Sequence, residues 1–173
     1  MMLNIEVEHS DITKARVDAI VNCTTSKLVI GGGSLDVAIH RAAGPDLLDE
    51  CKRIIEEKKC IFIGECVVTD SYKLPCKKVI HTTGPMYMGG SWGEQKNLAA
   101  CYSNAIVSAD KAGCESIAFP SLCTGTHSYP KKEAAELAVK TVRESASLCK
   151  TLSRVLFVCF DDETYSIYKS ILN

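Results

Sequence analysis

Residues 21–44, VNCTTSKLVIGGGSLDVAIHRAAG, place an asparagine, several hydroxyls, three consecutive glycines and an aspartate between an apolar run and an amphipathic pattern. Without a Cβ at Gly31, Gly32 or Gly33, backbone amides can approach an oxyanion closely, and a helix start just beyond them adds a favourable dipole. A flexible turn is the competing reading of a bare glycine triplet. The spacing satisfies neither G-x-G-x-x-G nor G-x-x-x-x-G-K-[ST], which excludes the ordinary dinucleotide fingerprint and the P-loop. A second stretch, SLCTGTHSYP at 121–130, repeats the chemistry with hydroxyls at Ser121, Thr124 and Thr126 and a permissive Gly125. Two such loops on one sheet edge would clamp the two phosphates of a diphosphate. A capped helix connection is the plainer alternative for the second loop, as an N-cap is for Asp36.

The elements that must position these loops alternate. Residues 3–8 (LNIEVE) alternate apolar and polar side chains and predict a half-exposed strand, whereas 17–21, 116–119 and 155–160 are apolar enough for interior strands. Residues 65–69 and 78–81 predict a strand pair joined by a turn-like segment. Helical spacing runs over 36–43, 45–58, 96–112, 131–148 and 162–172. Strands alternating with helices predict a three-layer α/β/α sandwich, and the strand pair at 65–81, with no helix to cross over, makes its central sheet mixed. Ligands of such sheets sit at the carboxyl ends of strands, here residues 22–36, 120–130 and 160–163.

With 173 residues, 24% charged side chains and a formal net charge of −1, the chain has the size of one domain and no basic excess. Extended nucleic acid is therefore a poor partner. The ten cysteines lie in apolar segments and never form a C-x-x-C pair, so they read as buried hydrophobes of a reducing cytoplasm rather than as a disulfide framework. Neither a leader-like start nor an apolar run of about 20 residues is present, which argues against export and membrane insertion. His40 and His81 lack a second ligand at i+3 or i+4. Cys23, Cys123 and His127 would gather only if the two loops meet, so no metal is expected.

DIT and VDAIVN, then GGG with an aspartate before AIHRAAGPDLLDEC, then VIHTTGP, SIAFPSLCTG and VLFVCFDDE, resemble the macrodomain family, in particular its MacroD-type branch. The likeness runs over almost the whole chain in the same order, so that residues 1–173 are expected to form a single macrodomain. That branch comprises ADP-ribosyl hydrolases and O-acetyl-ADP-ribose deacetylases. The resemblance implies ADP-ribose or O-acetyl-ADP-ribose as ligand, mono-ADP-ribosylated proteins as partners, and no cofactor. Carried over by position, it implies that Asp11 accepts from the adenine amino group, that Ile12 lines that end and that Phe160 stacks on or edges the ring. Gly31, Gly32, Gly33 and Ser34, with Ser121, Cys123, Thr124, Gly125, Thr126 and His127, would wrap the diphosphate and distal ribose. Asn22 would shape the first loop, and Asp36 would be the catalytic carboxylate, stabilising a cation-like ribose or activating water.

Three departures from the family pattern bear on turnover. Thr25 stands where a second asparagine is usual and offers one shorter hydroxyl near the reacting bond, a change that can cost about 10²-fold in rate. The span from Asn22 to Asp36 is one residue longer than usual, and His127 and Ser128 replace an aromatic residue and a glycine. The alternative to a hydrolase is therefore a reader that binds ADP-ribose with little or no turnover. A weaker third is a macrodomain retuned to another nucleotide or to RNA ends.

Overall fold

The computed structural model describes residues 2–173. Its six strands are β1 (Asn4–His9), β2 (Ala19–Cys23), β3 (Cys66–Asp70), β4 (Lys78–Thr82), β5 (Ser116–Phe119) and β6 (Arg154–Cys159). Its five α-helices are α1 (Ser34–Ala43), α2 (Pro45–Lys58), α3 (Glu94–Lys111), α4 (Lys131–Ala146) and α5 (Asp162–Leu172). The strands form one sheet in the order β1-β6-β5-β2-β4-β3. All neighbours run parallel except β3 and β4, which are antiparallel. Their link, residues 71–77, carries no helix, so the mixed sheet follows from the short connection.

Helices cover both faces, giving the three-layer sandwich. On one face α3, α4 and α5 bury Tyr102, Phe119, Phe157 and Tyr168, whose rings pack with centroids 5.0 Å (Tyr102 to Phe119) and 4.6 Å (Phe157 to Tyr168) apart. On the other, α1 and α2 press Ile39, Leu47 and Cys51 onto Ile20 and Val79. Each such large apolar side chain contributes about 1.5–3 kcal/mol. The interior strands β2 and β6 are buried almost throughout, while β1 at the edge stays half-exposed. All ten thiols are free, and burial pushes that of Cys51 up to about 12. Among the described residues no helix is long and apolar enough to cross a membrane.

Some element ends differ from the expected ones, for local reasons. Helix α3 starts at Glu94, two residues early, because the Glu94 carboxylate takes up the amide of Trp92 at 2.7 Å and that of Gly90 before the first turn. Helix α4 stops at Ala146 rather than 148, where Leu148 is solvent-exposed and has nothing to pack against. Helix α1 starts at Ser34 rather than Asp36, because Gly33, at φ +120°, turns the chain into the helix and its carbonyl accepts the Val37 amide. Parallel β2, β5 and β6 all end on one edge of the sheet, which brings the three expected loops together.

Candidate functional site

The first loop is built inward around Asp36. This residue sits in the first turn of α1 with 0% exposure, and its carboxylate is filled by donors. Asn22 Nδ2 donates to Oδ1 at 2.8 Å, while Oδ2 receives the Thr24 hydroxyl at 3.1 Å and the Gly31 and Gly32 amides at 3.0 and 2.9 Å. Two of the three glycine amides are therefore turned toward protein. Gly32 is confined by this arrangement, since a Cβ there would lie 2.5 Å from the Cys23 carbonyl oxygen and 2.8 Å from Thr24 Cα. The Thr25 hydroxyl is held locally, donating to the Val29 carbonyl at 3.1 Å and facing the Val29 amide at 3.3 Å.

Behind Asp36 lies a buried polar chain. Asn22 Nδ2 also reaches His81 Nδ1 at 3.2 Å, and the His81 Nε2 is 2.9 Å from the Thr69 hydroxyl. An amide NH₂ only donates, so Nδ1 accepts and the proton of neutral His81 sits on Nε2. Burial, helped by the neighbouring His40, pushes the His81 imidazole down to about 3. His40 Nε2 approaches Asp36 Oδ1 at 3.4 Å outside hydrogen-bonding geometry, and burial lowers its pKa against the pull of that carboxylate. His40, Cys51 and His81 bring ligand atoms within 4.8 Å of one another. Both His81 nitrogens are already engaged, which leaves that trio short of a metal-binding set. Thr24 and Thr69 are members of the site that the motifs did not single out, and His40 and His81, considered in the sequence only as metal ligands, join it through the Asp36 frame. The one signal in the sequence was His40, four residues after Asp36 and hence on the same helix face.

The second loop is open where the first is closed. Thr124 Oγ1 donates to the Ser121 carbonyl at 3.1 Å and lies 2.9 Å from Ser121 Oγ. Cys123 adopts φ +66°, and the loop is tied down by Tyr129 N to the Cys123 carbonyl and Ser128 N to the Gly125 carbonyl. Among the described residues the amides of Thr124, Gly125, Thr126 and His127 donate to no protein acceptor. Nor do the first-turn amides of Ser34 and Leu35, as at any helix start. The loops meet at Gly33, where a Cβ would lie 3.7 Å from Thr126 Oγ1. His127 Nδ1 is 3.1 Å from the Pro85 carbonyl. A carbonyl only accepts, so Nδ1 carries the hydrogen and Nε2 of the neutral ring keeps its lone pair.

At the far end, Asp11 caps the short 3-10 turn Ile12–Lys14, its Oδ1 accepting the Thr13 amide at 2.9 Å and hydroxyl at 2.7 Å. The Thr13 hydroxyl is the main reason its carboxyl is held below the usual range. Ile12 is buried in the core beneath the turn. Phe160, directly after β6, is 89% exposed, and its carbonyl accepts from His9 Nε2 at 3.0 Å. A large aromatic ring left in solvent at a strand end offers a free stacking face.

The mixed six-stranded sheet of this α/β/α sandwich thus carries, on one edge, two loops with amides that have no protein acceptor and an exposed aromatic ring. Comparison with known proteins makes this specific. Residues 21–138 match the Macro domain family, and the chain belongs to that family. It is 46% identical to the O-acetyl-ADP-ribose deacetylase of Klebsiella pneumoniae (strain 342), over 99% of this chain and 98% of that protein. With its Salmonella typhimurium namesake the identity is 43%, over 99% and 96%. A mutant Oceanobacillus iheyensis macrodomain solved with ADPR superimposes with a TM-score of 0.91 at 35% identity, covering 97% of this chain and 91% of that one. The Trypanosoma brucei macrodomain in complex with ADP-ribose gives 0.88 at 33%, covering 98% and 69%.

Proposed function

We propose that this chain binds ADP-ribose along the carboxyl edge of its sheet and hydrolyses acyl esters of the distal ribose. O-acetyl-ADP-ribose is the first substrate, and mono-ADP-ribose on acidic protein side chains is the second. The observation that carries this is the meeting, at Gly33 and Thr126, of two loops whose outward amides have no protein acceptor. Unpaired amides converging on one cleft fit a diphosphate and an oxyanion. The names of the full-length relatives support the choice of ligand and reaction.

In this account the diphosphate is taken by Ser34 and Leu35 at the start of α1 and by Thr124, Gly125 and Thr126. Adenine lies between Asp11, whose Oδ2 is free of the cap, and the Phe160 ring. Water attacks the acyl carbon, the resulting oxyanion is held by loop amides, and the bond to the ribose oxygen breaks to release carboxylic acid and a ribose hydroxyl. His127 Nε2 takes the proton from that water. Asp36, sealed and filled with donors, acts through Asn22, Thr24, Gly31 and Gly32 as a positioning residue rather than by touching substrate. Neither a metal nor a cofactor takes part, and the reducing cytoplasm is the compartment in which the free thiols are maintained.

One observation favours a second reading. The Thr25 hydroxyl is occupied by Val29, as suits a reader that holds ADP-ribose without cutting. Incubation with O-acetyl-ADP-ribose and with a glutamate-linked mono-ADP-ribosylated protein, following acetate and ADP-ribose release, decides between them. Multiple turnovers are expected. Calorimetric binding of ADP-ribose with no release from either substrate would establish the reader instead, and Thr25→Asn should then gain release.

A further inference from the structure

Under the meeting point of the two loops lie two thiols, one from each. Cys23 ends β2 and Cys123 occupies the second loop, a hundred residues later in the chain. Gly84 makes the space: a Cβ there would fall 2.1 Å from Cys123 Sγ, 3.8 Å from Cys23 Sγ and 3.9 Å from Cys101 Sγ. The Cys23 and Cys123 sulfurs therefore flank the same space above Gly84. Neither is fully sealed, with 8% and 7% of its surface in contact with solvent.

We propose that Cys23 and Cys123 form an oxidation site: hydrogen peroxide converts the pair into an intramolecular disulfide that ties the end of β2 to the second loop. Cys23 is the attacking sulfur: its thiol is held below the ordinary range, chiefly by the Cys123 thiol beside it and, against burial, by the Gly84 backbone. Cys123, whose thiol is pushed upward by that same contact and by burial, is the resolving partner. Cys101 stays out, its thiol directed at the Thr83 carbonyl at 3.5 Å and pushed up to about 12 by burial.

The chemistry balances. The Cys23 thiolate attacks one peroxide oxygen, the O–O bond breaks, and the departing hydroxide takes a proton to become water. Cys123 sulfur then attacks the Cys23 sulfenic acid, the S–O bond breaks, and a second water leaves with the Cys123 proton. Two electrons pass from the thiols to peroxide. An S–S bond of about 2.05 Å is shorter than any thiol contact, so Cys123 is drawn toward β2. Cys123 already holds a left-handed backbone, and its sulfur is seated against Gly84, so the loop absorbs the movement. The amides of residues 124–127 then lose their register with the start of α1. This consequence rests on the ADP-ribose function proposed above; the cross-link itself does not.

The test treats reduced protein with hydrogen peroxide, quenches in acid, alkylates under denaturing conditions and maps peptides without reduction. A cross-linked peptide joining Cys23 to Cys123, lighter by two hydrogen atoms and released by dithiothreitol, is expected. ADP-ribose affinity by calorimetry should fall about tenfold on oxidation and recover on reduction. In Cys23→Ser and Cys123→Ser the oxidant should leave affinity at the value of each variant's own untreated form. Alkylated Cys23 and Cys123 after peroxide treatment would overturn the site, and a cross-link with unchanged affinity would overturn its coupling to the cleft. Absence of binding by the reduced protein would count against the proposed ligand instead, and the peptide map would still decide the cross-link.

Discussion

The two loops at the sheet edge share a composition of glycine and hydroxyls, yet they use it in opposite ways. In the first, residues 22–33, the polar groups turn inward: Asn22, Thr24, Gly31 and Gly32 all donate to one buried carboxylate. In the second, residues 121–127, the side chains satisfy one another locally and the amides of residues 124–127 have no protein acceptor. One loop is therefore a preorganised frame, and the other supplies the donors. This division also separates stability from binding, since damage to the frame should cost folding free energy, and damage to the open side should cost affinity alone.

The strongest way to break that distinction is Asp36→Ala. Four donors would lose their acceptor in a sealed site, and the loss of stability should be about 3–5 kcal/mol, read by urea denaturation. A variant as stable as the parent would show that the carboxylate does not hold the frame. Gly32→Ala comes next, at about 1–3 kcal/mol, because its methyl group meets backbone atoms that cannot step aside. An alanine at Gly125, which has open space around it, should leave stability within about 0.5 kcal/mol.

Acid should act on the frame as well. The folded-state pKa values of His81 and His40 lie below their ordinary 6.5, so the unfolded chain binds more protons than the folded one once pH falls below that value. Stability is then fully present above about pH 6.5 and falls on acidification, by up to about 1.4 kcal/mol per pH unit for His81 down to about 3, with a further loss in the same direction from His40. Denaturant midpoints between pH 7 and pH 4.5 measure this, and His81→Gln should flatten the profile. The smallest effect sharpens the other side: Phe160→Ala should weaken ADP-ribose binding by about 1 kcal/mol with no change in melting temperature. Asp11→Ala should cost a similar amount in binding, plus a fraction of a kcal/mol from the lost cap.

The layers, the mixed sheet and the loop-bearing edge were legible because periodicity reports burial directly. The apolar run Ala19–Val21 in β2 needs both faces covered, and the helix-free link between β3 and β4 makes that pair antiparallel. The loops and their glycines were equally visible from composition. Hidden were the directions in which groups point. Nothing in GGGSLD says that two glycine amides face Asp36 rather than solvent, since that depends on Asn22 and Thr24 arriving from β2. His81 and Thr69 come from neighbouring strands in a pair whose register no local pattern specifies. The meeting of Cys23 with Cys123 likewise depends on Gly84, a residue remote from both in sequence.

Amide proton and nitrogen shifts recorded while ADP-ribose is titrated into isotope-labelled protein test the contrast between the loops most directly. The largest perturbations are expected at Ser34, Leu35 and residues 124–127, with the Gly31 and Gly32 amides retaining their Asp36 hydrogen bonds and their protection from exchange. Shifts centred on Gly31 and Gly32 with loss of that protection, or no perturbation along residues 124–127, would contradict that contrast.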